Sequence, residues 1–333
     1  MSIAALLRTA FGKESRAVTA AFILLLAAIF VPSVNLPRET YTYLVFIDIT
    51  QSMNVEDYDI DGAPVSRLDY ARQAVRRALR ALPCGSHVGL GAFAEYRTLL
   101  LVAPIEVCGN YNDLLASLDY LDGRMRWSNS SEIAKGVFWS VRGAKQVGEG
   151  TQVIFMTDGQ EAPPLRVSAR PSFDDVKPGQ VHGWIIGVGG YTPQPIPKTD
   201  REGNPAGYWR AEDVIQSDSD PATGAASASR EHLSALREPH LQALARQVGF
   251  DYAHLTRPSQ IAEAMRDSRF AQRRPVPTDL YWLPATAALI LLALRFRPDV
   301  RLTERLRLQT ARIARSLERM ARRREDEQPD RSI

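Results

Sequence analysis

Apolar runs and polar punctuation divide the middle of the chain into alternating short strands and amphipathic helices. Tyr43-Leu44-Val45-Phe46-Ile47 is an unbroken apolar run, the pattern of a strand covered on both faces. Residues 67–82 then place Leu68, Ala71, Val75, Ala78, Leu79 and Leu82 on one helical face. Two further strands, 88–94 and 98–103, are joined by Glu95-Tyr96-Arg97, a link too short for a crossover, which predicts an antiparallel hairpin. Helices are predicted near 111–120 and from Glu132. Strands follow at 152–157 and 183–188, then a helix at 239–248, a strand at 250–254 and a helix at 258–268.

That order predicts an α/β, doubly wound (Rossmann-like) domain over 41–268, with a mostly parallel sheet and one antiparallel edge strand. Residues 189–230 interrupt it with Pro, Gly, Ser and Asp. They read as an irregular insertion on the side of the sheet where strands end, because they follow the carboxyl end of a strand.

Two apolar runs flank the domain. Residues 17–34 carry no charge, and as a helix they would reach about 27 Å, enough to cross a hydrocarbon core. Arg8, Lys13 and Arg16 precede them, which predicts a cytoplasmic N-terminus at 1–16. A cleaved signal peptide is the rival; no small-x-small cleavage site follows, so an uncleaved anchor is expected. Residues 280–295 form the second run, with Tyr281 and Trp282 at one end and Arg295 at the other, and read as a second transmembrane helix. The domain between them would then be periplasmic in a bacterial inner membrane, with both termini cytoplasmic. The tail 296–333 is predicted to be a basic amphipathic helix, with Leu302, Leu306, Ile313 and Leu317 on one side. It would lie on anionic headgroups or serve as a docking arm.

The chain has 333 residues, 45% hydrophobic and 24% charged, a globular composition. Its net charge of +3 is unevenly spread. Residues 295–333 hold 12 Arg against 7 acids, and 1–16 are also basic. The body is therefore mildly acidic, which argues against nucleic acid as its partner.

The candidate chemistry sits where the first strand ends. Asp48, Thr50 and Ser52 alternate there, at the rim where open α/β sheets bind ligands. The strand 152–157 delivers a second carboxylate, Asp158, followed by Gly159. Between them Ser128-Asn129-Ser130-Ser131-Glu132-Ile133 opens a helix with hydroxyls. One or two carboxylates with several hydroxyls suit a hard divalent cation. Turn and N-cap chemistry is the plainer reading of each piece alone.

Together the three pieces resemble the metal-ion-dependent adhesion site of a von Willebrand factor A domain, whose pattern is D-x-S-x-S, a distant Thr and a later Asp. Thr50 stands for the first Ser, and Ser131 for the distant Thr; both keep the hydroxyl. Ser130 is the alternative to Ser131. The resemblance implies a cation, Mg²⁺ foremost with Ca²⁺ or Mn²⁺ as alternatives, held by Asp48, Thr50, Ser52, Ser131 and Asp158. It also implies a partner protein whose carboxylate completes the shell. The two-span layout is similar to membrane A-domain accessory proteins encoded with periplasmic methanol dehydrogenase. That implies a role in maturing such an enzyme, including its calcium insertion. The other resemblance is to Bat-like membrane A-domain proteins, which work beside other such proteins and a MoxR-type AAA+ ATPase in stress tolerance.

Asp57, Asp59 and Asp61-Gly62 have the spacing that opens a calcium loop. The twelfth position is Leu68 rather than Glu, so a solvated acidic loop is the plainer reading and a second cation the sharper one. Cys84 and Cys108 are the only cysteines. A hairpin of strands two and three would bring both to the pole opposite the acids, where an oxidising compartment lets them pair. The five histidines are scattered, and no G-x-S-x-G, H-E-x-x-H or P-loop run occurs. Catalysis is therefore not expected, and a metal-dependent hydrolase is the least favoured alternative.

Overall fold

The computed structural model describes residues 16–164, 175–215 and 230–296. The tail and the first fifteen residues lie outside them, as does 216–229 of the predicted insertion. The chain divides into a large unit, Leu36–Val276, and a smaller one containing the two terminal apolar helices.

In chain order the elements are α1 (Arg16–Phe30), β1 (Val34–Thr40), β2 (Thr42–Asp48), β3 (Tyr58–Ile60), β4 (Ala63–Val65), α2 (Arg67–Ala81), β5 (His87–Ala94), β6 (Arg97–Glu106), α3 (Tyr111–Tyr120) and α4 (Ile133–Val147). They continue with β7 (Gln152–Thr157), β8 (Gly183–Gly187), β9 (Gln194–Pro195), β10 (Pro197–Thr199), β11 (Pro205–Tyr208), β12 (Leu233–Ser234), α5 (Glu238–Val248), β13 (Asp251–His254), α6 (Ser259–Met265), β14 (Gln272–Thr278) and α7 (Trp282–Arg295).

Six strands form the central sheet in the order β13-β8-β7-β2-β5-β6. All neighbours are parallel except β5 and β6, an antiparallel edge pair. Strand β2 is wholly buried, and its side chains alternate between faces as a pleat requires. Tyr43, Val45 and Ile47 join α2, α3 and α6 in one core. Leu44 and Phe46 join α4 and α5 in the other. Gly136 on α4 allows that second core to close, because a Cβ there would sit 2.2 Å from the Phe93 ring.

After β2 the chain builds outward through β5 and β6, then returns to add β7, β8 and β13 on the other side. The switch point therefore lies between β2 and β7, the crevice where doubly wound sheets bind ligands. Asp48 closes β2 and Asp158 follows β7.

Two features differ from the sequence expectations, and two more add to them. First, the apolar run 17–34 is not one helix: α1 has 15 residues and stops at Phe30. Pro32 disfavours helical geometry at the residue before it, and the chain then runs extended as β1, which pairs with β14. Second, α7 has 14 residues, so no helix among the described residues is long and apolar enough to cross a membrane. Third, α1 and α7 pack on each other while Phe22, Ile29, Phe30 and Leu289 remain 60–80% exposed. Fourth, the Asp57–Asp61 stretch lies in a β-hairpin of β3 and β4. Cys84 and Cys108 are joined as a disulfide at the end of the sheet where Thr42 pairs with His87 and His87 with Glu106.

Candidate metal centre

Asp48 is fully enclosed, and both of its oxygens accept hydrogen bonds. The Thr50 backbone N–H and hydroxyl donate to Oδ1 at 2.9 and 2.7 Å, and the Thr157 hydroxyl donates to Oδ2 at 2.6 Å. Burial and the nearby Asp158 carboxylate push its pKa up to about 7, against the pull of those donors. A carboxylate this deprived of water is stabilised by a cation beside it.

Thr50 and Ser52 lie on the turn after β2, with their hydroxyls 3.3 Å apart. Ser131 lies between Glu95, which follows β5, and Ala162, in the loop after β7. Its backbone is clamped, exchanging N–H···O bonds of 2.7 Å with Ala162 in both directions. Its buried hydroxyl has no hydrogen-bond partner among the described residues. Ser130, the alternative, bonds Ser128 instead. Thr50, Ser52 and Ser131 line one cavity of about 230 Å³. An all-oxygen set of three hydroxyls beside two carboxylates fits a hard cation such as magnesium, and the unpartnered Ser131 hydroxyl is the feature a ligated ion would answer.

Asp158 is equally buried but differently partnered. Gln160 N–H donates to its Oδ1 at 2.9 Å. Its Oδ2 accepts from Ser234 Oγ and from Arg67 Nη1, both at 2.8 Å. Arg67 is a fully buried arginine, and sequence reasoning missed it. Its Nη2 also binds Asp57 at 2.7 Å, and Nη1 the Ser234 hydroxyl at 2.6 Å. Desolvation works against the charged form, and the two carboxylates overcome it. Gly189, at φ +116°, makes room: a Cβ there would lie 2.5 Å from Arg67 Nε.

The second acidic cluster does not converge. Asp57 is engaged by Arg67 and by Gly190 N–H, and Asp59 caps the hairpin turn through Gly62 N–H. Among the described residues one group of three Cys, His or acidic ligands lies within 4.8 Å, namely Cys84, Glu106 and Cys108, and its two sulfurs are already bonded to each other.

The insertion roofs the site. Gln51, between the two hydroxyl residues of the turn, donates to Asn129 Oδ1 and to Thr199 O, at 3.0 and 3.3 Å. It accepts from Trp209 Nε1 at 2.7 Å and from Thr199 N–H at 3.2 Å. Glu161 was also missed: its two oxygens take the Ile133 and Ala134 N–H groups at the start of α4, and His240 Nε2 lies 2.9 Å from it.

A family model described as von Willebrand factor type A domain matches residues 43–160. No curated protein sequence matches the chain. Solved structures that resemble it include an aerotolerance-related membrane protein from Bacteroides fragilis, at 17% identity and TM-score 0.44, covering 68% of this chain and 96% of that one. Another is the conserved hypothetical protein BatB from Bacteroides thetaiotaomicron, at 18% and 0.45, covering 67% and 94%. A third is an ArnB paralog from Sulfolobus acidocaldarius, at 14% and 0.37, covering 69% and 45%. The matched segment spans β2 to the loop after β7 and contains Asp48, Thr50, Ser52, Ser131 and Asp158, so these residues lie in the stretch of the chain that is similar to a von Willebrand factor type A domain.

Proposed function

We propose that this protein is a metal-dependent protein-binding factor rather than an enzyme. The observation that carries the reading is the convergence of the Thr50, Ser52 and Ser131 hydroxyls on one cavity beside two buried carboxylates, with Ser131 Oγ unpartnered. A cation there, Mg²⁺ in the first instance, would be ligated chiefly by neutral hydroxyls and would keep its pull on an incoming anion. A carboxylate from a partner protein is the natural final ligand. No histidine lines the cavity among the described residues, and its acids Glu161 and Glu231 are each held by neighbouring donors, which favours binding over general-base chemistry.

The exposed apolar faces of α1 and α7 favour attachment to a bilayer, with the domain on the periplasmic side. The client implied by the sequence resemblance is a periplasmic enzyme, methanol dehydrogenase, matured with its calcium. The aerotolerance-type reading instead places the protein beside other membrane A-domain proteins and a MoxR-type ATPase.

Titrating Mg²⁺ into the full chain and into Asp48→Ala tests the core of this reading. Binding by the first and loss in the second is expected; no binding by either, in Mg²⁺, Ca²⁺ or Mn²⁺, overturns it. For the client, calcium content of methanol dehydrogenase purified from a deletion strain decides, full occupancy rejecting that enzyme.

A further inference from the structure

The end of the sheet away from Asp48 carries its own convergence of ligand atoms. Cys84 lies between α2 and β5, and Cys108 two positions past the end of β6. Their sulfurs form the disulfide, and a Glu106 carboxylate oxygen lies within 4.8 Å of both. The two cysteines are exposed and Glu106 is half-buried, so a small dithiol can reach the bond and an ion can enter from solvent.

Glu106 holds this place together independently of the sulfur–sulfur bond. Its Oε1 accepts from the Gly85 N–H at 2.7 Å and from the Cys108 N–H at 3.0 Å, one donor on each cysteine-bearing segment. Its Oε2 accepts from the Gly109 N–H at 2.6 Å and, with two lone pairs, keeps an acceptor position. Opening the disulfide therefore leaves two thiols tethered by one carboxylate that still has a lone pair to give. Two thiolates on one tetrahedral Zn²⁺, each at about 2.3 Å, sit about 3.8 Å apart. With the Cα atoms 5.3 Å apart, turning the Cα–Cβ bonds reaches that separation while the backbone stays in place. A set of two sulfurs and one oxygen selects Zn²⁺ over the hard cations that suit the Asp48 end.

We infer that Cys84, Cys108 and Glu106 form a redox-gated zinc site, a disulfide when oxidised and a holder of Zn²⁺ when reduced, with the fourth position open to water. A dithiol supplies two electrons and two protons to the disulfide and itself becomes a disulfide. Zn²⁺ then binds as both thiols release their protons to solvent. Either state closes the same link across 24 positions. The inference does not depend on the cation reading at Asp48.

The test titrates Zn²⁺ into the full chain against a chromophoric chelator, once oxidised and once after reduction with a phosphine that is then removed. The reduced chain is expected to take one further Zn²⁺; the oxidised chain is the reference, because any Zn²⁺ held near Asp48 is common to both. Cd²⁺ in place of Zn²⁺ is expected to give the ultraviolet thiolate-to-metal band in the reduced chain alone. Glu106→Gln keeps the side chain's size and an oxygen for the N–H donors, and is expected to weaken the further Zn²⁺ by at least about tenfold. Zn²⁺ is also expected to raise the urea midpoint of the reduced chain toward that of the oxidised one, which binding to unfolded thiols would not do. Equal Zn²⁺ uptake by the two states overturns the inference, and so does a further Zn²⁺ without the Cd²⁺ band. An unchanged affinity in Glu106→Gln, or a urea midpoint of the reduced chain that Zn²⁺ does not raise, overturns it as well.

Discussion

Arg67 Nη1 lies 2.8 Å from Asp158 Oδ2, and neither side chain is exposed to solvent. The guanidinium also holds Asp57, so one cation on α2 braces the acid after β7, the residue before the hairpin and, through Ser234, strand β12. Asp158 is thereby partly neutralised before any metal arrives. Asp48 instead accepts from hydroxyl and backbone donors, those of Thr50 and Thr157.

Removing that brace is expected to be expensive. Arg67→Leu leaves Asp57 and Asp158 without their counter-charge, and loss of one partner from a buried pair typically costs about 3–5 kcal/mol. Urea unfolding measures it. Adding Asp158→Asn should recover part of the loss, because it removes one of the two stranded charges; no recovery would mean that Arg67 acts through packing alone.

Ser131→Ala separates ligation from stability. The hydroxyl has no hydrogen-bond partner among the described residues, so its removal should change the unfolding free energy by less than about 1 kcal/mol. Mg²⁺ affinity should nevertheless fall by about tenfold or more, the scale seen when groups around a metal are altered. An unchanged affinity in calorimetric titration would remove Ser131 from the ligand set.

The far pole of the sheet predicts an acid-dependent effect. Burial raises the Glu106 pKa, but N–H donors from Gly85, Cys108 and Gly109 outweigh it and hold the carboxylate below its ordinary value. The folded state therefore binds this proton less readily than the unfolded chain. The contribution is fully present above the ordinary glutamate pKa of about 4.3 and fades as pH falls through the lower folded value. Glu106→Gln should flatten the acid side of the stability–pH curve in urea midpoints taken from about pH 6 down to 3.

At that same pole, replacing Cys84 and Cys108 by Ser opens a link spanning 24 positions. A loss of about 3 kcal/mol is expected on chain-entropy grounds. Mg²⁺ titration should be unaffected, since the disulfide sits at the Thr42 end of β2 and Asp48 at the other.

Much of this architecture was legible in the residues because the core is built from local patterns. The all-apolar β2, the periodic α2 and the short link before β6 each announce themselves, and so do the alternating oxygen side chains after Ile47. Arg67 did not. An arginine at the start of an amphipathic helix reads as a solvated residue, and its partners Asp158 and Ser234 are 91 and 167 positions away. The Asp57–Asp61 spacing left two readings open. Alternating acids suit a calcium loop, yet the same composition makes a tight turn, with Asp61 at φ 54° and Gly62 at φ 83°. The pairing of β1 with β14 was also hidden, because short proline-bearing edge segments carry no periodic signal.

Gln51 carries a last consequence. Its side-chain amide ties the turn to Asn129, Thr199 and Trp209, so the wall over the hydroxyls is moored while the site is still waiting. A surface assembled in advance asks for little loss of chain freedom when a visitor docks. Encounter should then be quick, and the lifetime of the complex should be governed by how readily the ion releases its last ligand.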